Sequence, residues 1–85
     1  MATVFAEVQE VLASHFEIDK SLIVPEAHFE DLDGDSLAFL EAVIQLEKVF
    51  SKSSGRKIEI RDRVLDDVET VQDLLDRLAA VGLHD

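Results

Sequence analysis

The chain has 85 residues, 8 Lys and Arg against 19 Asp and Glu, a net charge of −11 and no cysteine. That length fits a single domain over residues 1–85 with a small core. The absence of cysteine excludes disulfides, thiolate metal sites and cysteine nucleophiles. The charge argues against nucleic acid as a partner, because phosphate contacts need clustered Lys and Arg, and it suits partners with basic surfaces. A hydrophobic content of 47% is too high for a disordered acidic tail. The stretch Met1–Glu7 lacks the basic region of a signal peptide, and no run approaches the roughly 18 apolar residues of a membrane span. A cytoplasmic, monomeric chain with no membrane insertion is therefore expected.

The first periodic segment runs from Thr3 to His15. Val4, Val8, Val11 and Leu12 recur at helical spacing, with Phe5 and Phe16 on an adjoining stripe. From Glu17 to Asp35 the period dissolves into a long acidic loop around Pro25, with Ile18, Leu22, Ile23, Val24, Phe29 and Leu32 as isolated apolar residues. A loop this long in so small a domain is expected to be pinned by such residues and to be functional. A second helix is predicted from Ser36 to Phe50. Its apolar surface is wider than one buried face requires, so part of it faces either a partner or a second neighbouring helix. Ser51–Lys57 reads as a flexible loop. Ile58-Glu59-Ile60 alternates like a strand, but a lone three-residue strand has nothing to pair with. Asp62–Asp67 is predicted to hold one helical turn. Thr70 and Asp73 form a short capping box that opens a last helix over Val71, Leu74, Leu75 and Leu78, with Gly82 as its stop. The outcome is all-α: three substantial helices, one short helix and no sheet.

The chemistry is expected in Asp31-Leu32-Asp33-Gly34-Asp35-Ser36-Leu37, which leads into the second helix. Read as an EF-hand loop from Asp31, it places Ser36 where Gly is needed and Ala42 where a bidentate Glu is needed, so no metal site of that type is expected. Ser36 reads as a helix N-cap. That role is compatible with a second one, because a hydroxyl at a helix start lies at the positive end of the dipole and can carry an anion. Gly34 permits close backbone approach just before it. An esterase elbow would need glycine on both flanks of the serine, whereas Leu37-Ala38 follows. His15, His28 and His84 have no recognised spacing to Ser36. No catalytic residue is assigned, and Ser36 reads as a residue that is modified rather than one that attacks a substrate.

Asp35-Ser36-Leu37 at the start of an acidic helix, near the middle of an acidic chain of this length, resembles the acyl carrier proteins. Phe29 and Leu32 resemble the family's upstream loop anchors, and Leu46-Glu47-x-x-Phe50 resembles the end of its second helix. Ile60-Arg61-Asp62 stands at its Ile-Pro-Asp, and Thr70-Val71 resembles the opening of its last helix. The resemblance covers nearly the whole chain. It implies a four-helix bundle with a long loop after the first helix, and a carrier without catalytic activity. It further implies 4'-phosphopantetheine, attached to Ser36 between Asp35 and Leu37 by a phosphopantetheinyl transferase that uses coenzyme A. The arm would carry acyl thioesters between enzymes of a fatty-acid, polyketide or related pathway. Acyl-loading and acyl-processing enzymes with basic patches would dock on Asp35, Leu37, Glu41, Ile44 and Glu47. Phe39, Ala42, Val43 and Leu46 would neighbour a sheltered acyl chain or form plain core.

Three departures qualify the resemblance. Asp33 stands three residues before the serine, where the family has glycine, and Gly-Asp-Ser-Leu also resembles peptidyl carrier domains of nonribosomal synthetases. The loop after Phe50 is longer than in common fatty-acid carriers and carries Lys48, Lys52, Arg56, Lys57, Arg61 and Arg63 in and around it, which either neutralise the acidic surface or form a second contact region. Ala38 and Lys48 make the second helix less negative than is usual, which favours a specialised pathway. An aminoacyl carrier and an unmodified acidic helical adaptor are the alternatives.

Overall fold

The structure, a computed structural model, describes residues 3–32 and 35–84. Four helices make up its regular structure: α1 Val4–Phe16, α2 Ser36–Ser54, α3 Val64–Asp67 and α4 Val71–Ala80. Two 3-10 turns, Lys20–Leu22 and Phe29–Leu32, lie in the loop between α1 and α2. Among the described residues there is no strand, only an isolated antiparallel bridge between His28 and Thr70.

Each long helix begins where the sequence supplies a cap. Thr3 Oγ1 accepts from the Ala6 N–H at 3.0 Å to open α1. The apolar stripes then meet: α1 contributes Val8, Val11, Leu12 and Phe16 to one core with Phe39, Ala42, Val43, Leu46 and Phe50 of α2 and Val71, Leu74 and Leu78 of α4. Leu12, Leu46, Leu74 and Leu78 are completely enclosed. Each contributes about 1.5–3 kcal/mol of hydrophobic stabilisation.

The long loop is pinned as expected, and the pins are specific. Gln9 Nε2 of α1 donates to the Ile23 carbonyl at 2.9 Å, and Ile23 is fully buried. Further on, the Phe29 N–H donates to the Glu69 carbonyl at 2.9 Å. The N–H groups of Val71 and Gln72 donate to the Ala27 and Pro25 carbonyls at 3.0 and 2.9 Å. These are first-turn donors of α4, which no helix can satisfy internally. Thr70 and Asp73 complete the capping box, with the Asp73 N–H on Thr70 Oγ1 and the Glu69 and Thr70 N–H groups on Asp73 Oδ2, each at 3.1 Å.

Two expectations are corrected beyond Phe50. First, α2 does not stop there but runs on to Ser54, and Gly55 ends it in the left-handed region at φ 73°. Ser51-Lys52-Ser53-Ser54 reads as loop, yet Lys52 in the last turn suits the negative end of the dipole and glycine supplies the exit. Second, Ile58-Glu59-Ile60 is not left with nothing to pair with, because its backbone N–H groups find side-chain acceptors. The Ile58 N–H donates to Ser51 Oγ and the Ile60 N–H to Glu47 Oε2, both at 2.8 Å. Both isoleucines are buried while Glu59 is exposed, which accounts for the alternation.

Glu47 therefore does not belong on a docking face. It is 5% exposed and accepts from the Ile60 N–H and from the Arg61 N–H at 3.2 Å, and its Oε1 meets Arg61 Nε at 3.1 Å. At about 100° per residue the helix turns Glu47 some 80° away from Leu37, toward the segment leading into α3. The exposed Arg61 guanidinium and the two backbone N–H groups thus supply the polar partners that a buried carboxylate needs.

Two consequences are measurable. Glu47→Ala leaves the buried Ile60 N–H without its acceptor and is expected to lower the unfolding free energy by about 1–3 kcal/mol. Urea unfolding checks this, and an unshifted midpoint contradicts it. The backbone N–H groups of Glu69 and Thr70 hold the Asp73 carboxyl below the ordinary aspartate value. That stabilisation is fully present above the ordinary value and is lost as pH falls through the lower folded one. Asp73→Asn is expected to flatten the acid limb of the stability profile; wild-type and variant profiles running parallel at acid pH would sink the assignment.

Candidate functional site

Ser36 is the first residue of α2, but it is not the cap. Asp35 holds that position at φ −82° and ψ 173°, and its Oδ1 accepts from the Ala38 N–H at 2.7 Å. Aspartate and serine are equally good caps, so adjacent ones cannot be ranked from sequence. The arrangement assigns the work of capping to Asp35 and leaves the exposed Ser36 hydroxyl free of it. Asp33 and Gly34 lie outside the described residues, so the glycine expected before the serine and the centre of the EF-hand reading are not placed. Among the described residues, no group of three or more His, Asp or Glu side chains is positioned to hold a metal.

The start of a 19-residue helix carries a partial positive charge. The N–H groups of Ser36 and Leu37 lie outside the helical ladder and point toward whatever sits at the start. An anion on Ser36 gains about 0.3–1 kcal/mol from this field. Asp35 beside it and Glu30 on the same cleft lining oppose that gain.

Ser36 opens on a cleft of about 470 Å³. Phe29, Phe39, Leu65 and Val68 form its apolar lining, and His28, Glu30, Asp35 and Glu69 its polar lining. Three elements meet there: the pinned loop, the first turn of α2, and α3 with the residues after it. Leu65 and Val68 were not singled out from the sequence. A four-residue helix has no period to read, and Leu65 is 49% exposed, so its only signal was an apolar residue beside Val64.

The expected docking residues divide. Asp35, Leu37 and Glu41 are exposed and Ile44 is half-buried. Leu37, Glu41 and Ile44 follow at i, i+4 and i+7 and share one side of α2, with Leu37 65% exposed. Glu47 turns inward, as described above. The expected shelter residues also divide: Phe39 lines the cleft, whereas Ala42, Val43 and Leu46 are solvent-inaccessible core.

Much of the basic cluster is used within the chain. Lys57 pairs with Glu59 at 2.9 Å, Arg61 with Glu47, and Arg63 with Asp67 at 3.8 Å. Arg56 Nη2 donates to the Val81 carbonyl at the end of α4. A Cβ at Gly82, where φ is 89°, would come within 2.8 Å of that guanidinium. Each of these four residues thus has an intramolecular partner.

A family model described as a phosphopantetheine attachment site matches residues 6–78. The acyl carrier protein of Syntrophobacter fumaroxidans is 34% identical over 80 residues, covering 93% of this chain and 91% of that one. Those of Rubrobacter xylanophilus and Thermosynechococcus vestitus are 34% and 36% identical over 74 residues, each covering 86% of this chain and 84% of the relative.

Proposed function

The chain belongs to the acyl carrier protein family and carries its phosphopantetheine attachment domain, and on that premise we propose that Ser36 is the residue that takes the arm. One observation carries this reading: Ser36 is an exposed hydroxyl at the first position of α2, relieved of capping by Asp35 and open to an apolar cleft. In the transfer, Ser36 Oγ forms a new bond to phosphorus of the coenzyme A pyrophosphate. The bridging oxygen–phosphorus bond breaks, the nucleotide portion leaves with its electron pair, and the serine proton passes to a base of the transferase. Once bound, the arm supplies a thiol that carries acyl groups as thioesters, which a chain with no cysteine cannot do by itself.

The chain's own residues position and present the serine rather than catalyse. Asp35 fixes the start of the helix, and the helix field steadies the phosphodiester anion. Leu37 and Ile44 offer an apolar strip between Asp35 and Glu41, a surface that fits partner enzymes with basic rims around a small apolar patch. Among the described residues no helix is long and apolar enough to cross a membrane.

Intact mass before and after incubation with coenzyme A and a broad-specificity phosphopantetheinyl transferase tests the reading. The wild type is expected to gain one phosphopantetheine and Ser36→Ala none. A gain that persists in Ser36→Ala moves the site elsewhere. No gain in folded, unmodified wild type favours the adaptor.

A further inference from the structure

Ser36 shares its cleft with three acids, Glu30, Asp35 and Glu69, and with one side chain that can carry a positive charge, His28. No Lys or Arg lines it. His28 is exposed, yet its backbone is fixed on both sides. Its carbonyl accepts from the Asp31 N–H at 2.9 Å, and it forms the isolated antiparallel bridge with Thr70. The next N–H, that of Phe29, is tied to the Glu69 carbonyl, and the Phe29 ring lies 4.4 Å from that of Phe39. The chain thus sets the imidazole at the wall of the cleft, with two side-chain torsions left to turn. Among the described residues the ring has no hydrogen-bond partner. The charged groups around it are Glu30 from the turn that follows, Asp35 from the start of α2, Glu69 from the segment before α4 and Asp73 from the first turn of α4; α3 brings only the uncharged Leu65 to the lining. The Asp73 carboxyl, held low first by the Glu69 and Thr70 N–H groups, also feels the charge of His28 to a lesser degree.

A phosphodiester on Ser36 brings a full negative charge to this lining, with its phosphorus one bond from Oγ. The start of α2 meets part of that charge, and the three acids repel it. A protonated imidazole on the same lining is the one side chain that can pair with it, by donating an N–H to a non-bridging oxygen. Resting on Ser36 as the attachment point, we propose that His28 is a binding residue for the phosphopantetheine arm. Its protonated ring pairs with the phosphodiester and holds the first bonds of the arm against the cleft. The coupling is reciprocal: attachment raises the affinity of His28 for its proton, and protonation strengthens the hold, which therefore grows as pH falls. Imidazole exchanges its proton close to neutral pH, so the hold is released readily when a partner draws the arm away.

The test uses the full chain before and after loading by the transferase with coenzyme A, with intact mass reporting the attachment. Histidine ring resonances and the phosphorus resonance are followed between about pH 5 and 8, where imidazole titrates and a phosphodiester has no proton of its own to lose. The midpoint of His28 is expected to rise on loading by about 0.4–0.8 of a pH unit, the effect of one charge about 4–8 Å away in water. His15 and His84, which do not line the cleft, are expected to stay where they were. The phosphorus resonance of the loaded wild type is expected to titrate with the same midpoint as His28, and in His28→Gln, loaded and confirmed by mass, to lose that titration. A His28 midpoint that loading leaves unmoved overturns the proposal, and that comparison decides even where the variant does not fold. A phosphorus titration that persists in folded His28→Gln also overturns it. Failure to gain phosphopantetheine is distinguishable by mass, and overturns the attachment reading and this one together.

Discussion

Phe29 is held between Phe16 and Phe39, and its N–H closes on the Glu69 carbonyl just before α4. From this junction the loop between α1 and α2 hands its Ala27 and Pro25 carbonyls to the first N–H groups of α4. The exchange is reciprocal. The loop needs partners for backbone groups that form no regular structure, and α4 needs acceptors for donors that its own geometry leaves unsatisfied. The position of Ser36 follows. The loop that precedes it is anchored to α1 and α4, and the helix that it opens is anchored by the same Phe39 that stacks on Phe29. The cleft is the seam left between these anchored pieces and α3.

The other side of the cleft depends on one carboxylate. Glu47 receives the extended segment before α3 as a neighbouring strand would, through the backbone of Ile60 and Arg61. Arg77 of α4 adds contacts to the Ile60 and Asp62 carbonyls and to Asp67 at 3.2 Å. α3, with four residues, cannot hold itself together by its own hydrogen bonds. It is placed by Glu47 and Arg77, by the burial of Val64 and Val68, and by a turn at Arg63 in the left-handed region. A chain with such an acidic balance thus uses several of its few cations to fasten its own segments together.

The helices were legible because their boundaries rest on local chemistry. Thr3, Thr70 with Asp73, and the stripes of Val and Leu between them specify α1 and α4 within a residue or two. Membership of the family was legible through the Asp-Ser-Leu triplet together with the chain's length, acidic balance and helix order. Three features were not. Asp35 and Ser36 are equivalent caps on paper, and only the bond from Asp35 to the Ala38 N–H separates them. The last turn of α2 is written in serine and lysine, which suit loops equally well. Glu47 reads as one more exposed acid, because a tertiary backbone contact leaves no period. Its one trace was Ile58-x-Ile60, a strand pattern with no second strand, which required an acceptor of another kind.

Amide hydrogen exchange at Phe29, Val71 and Gln72 reads out the junction between loop and α4, because these three N–H groups make it. If that junction holds the site together, they exchange in the same slow class as Leu46 and Leu74 in the core, opening only with the whole fold. If Val71 and Gln72 exchange like an unprotected helix end while Leu74 remains slow, the loop is not fastened to α4 and does not position Ser36.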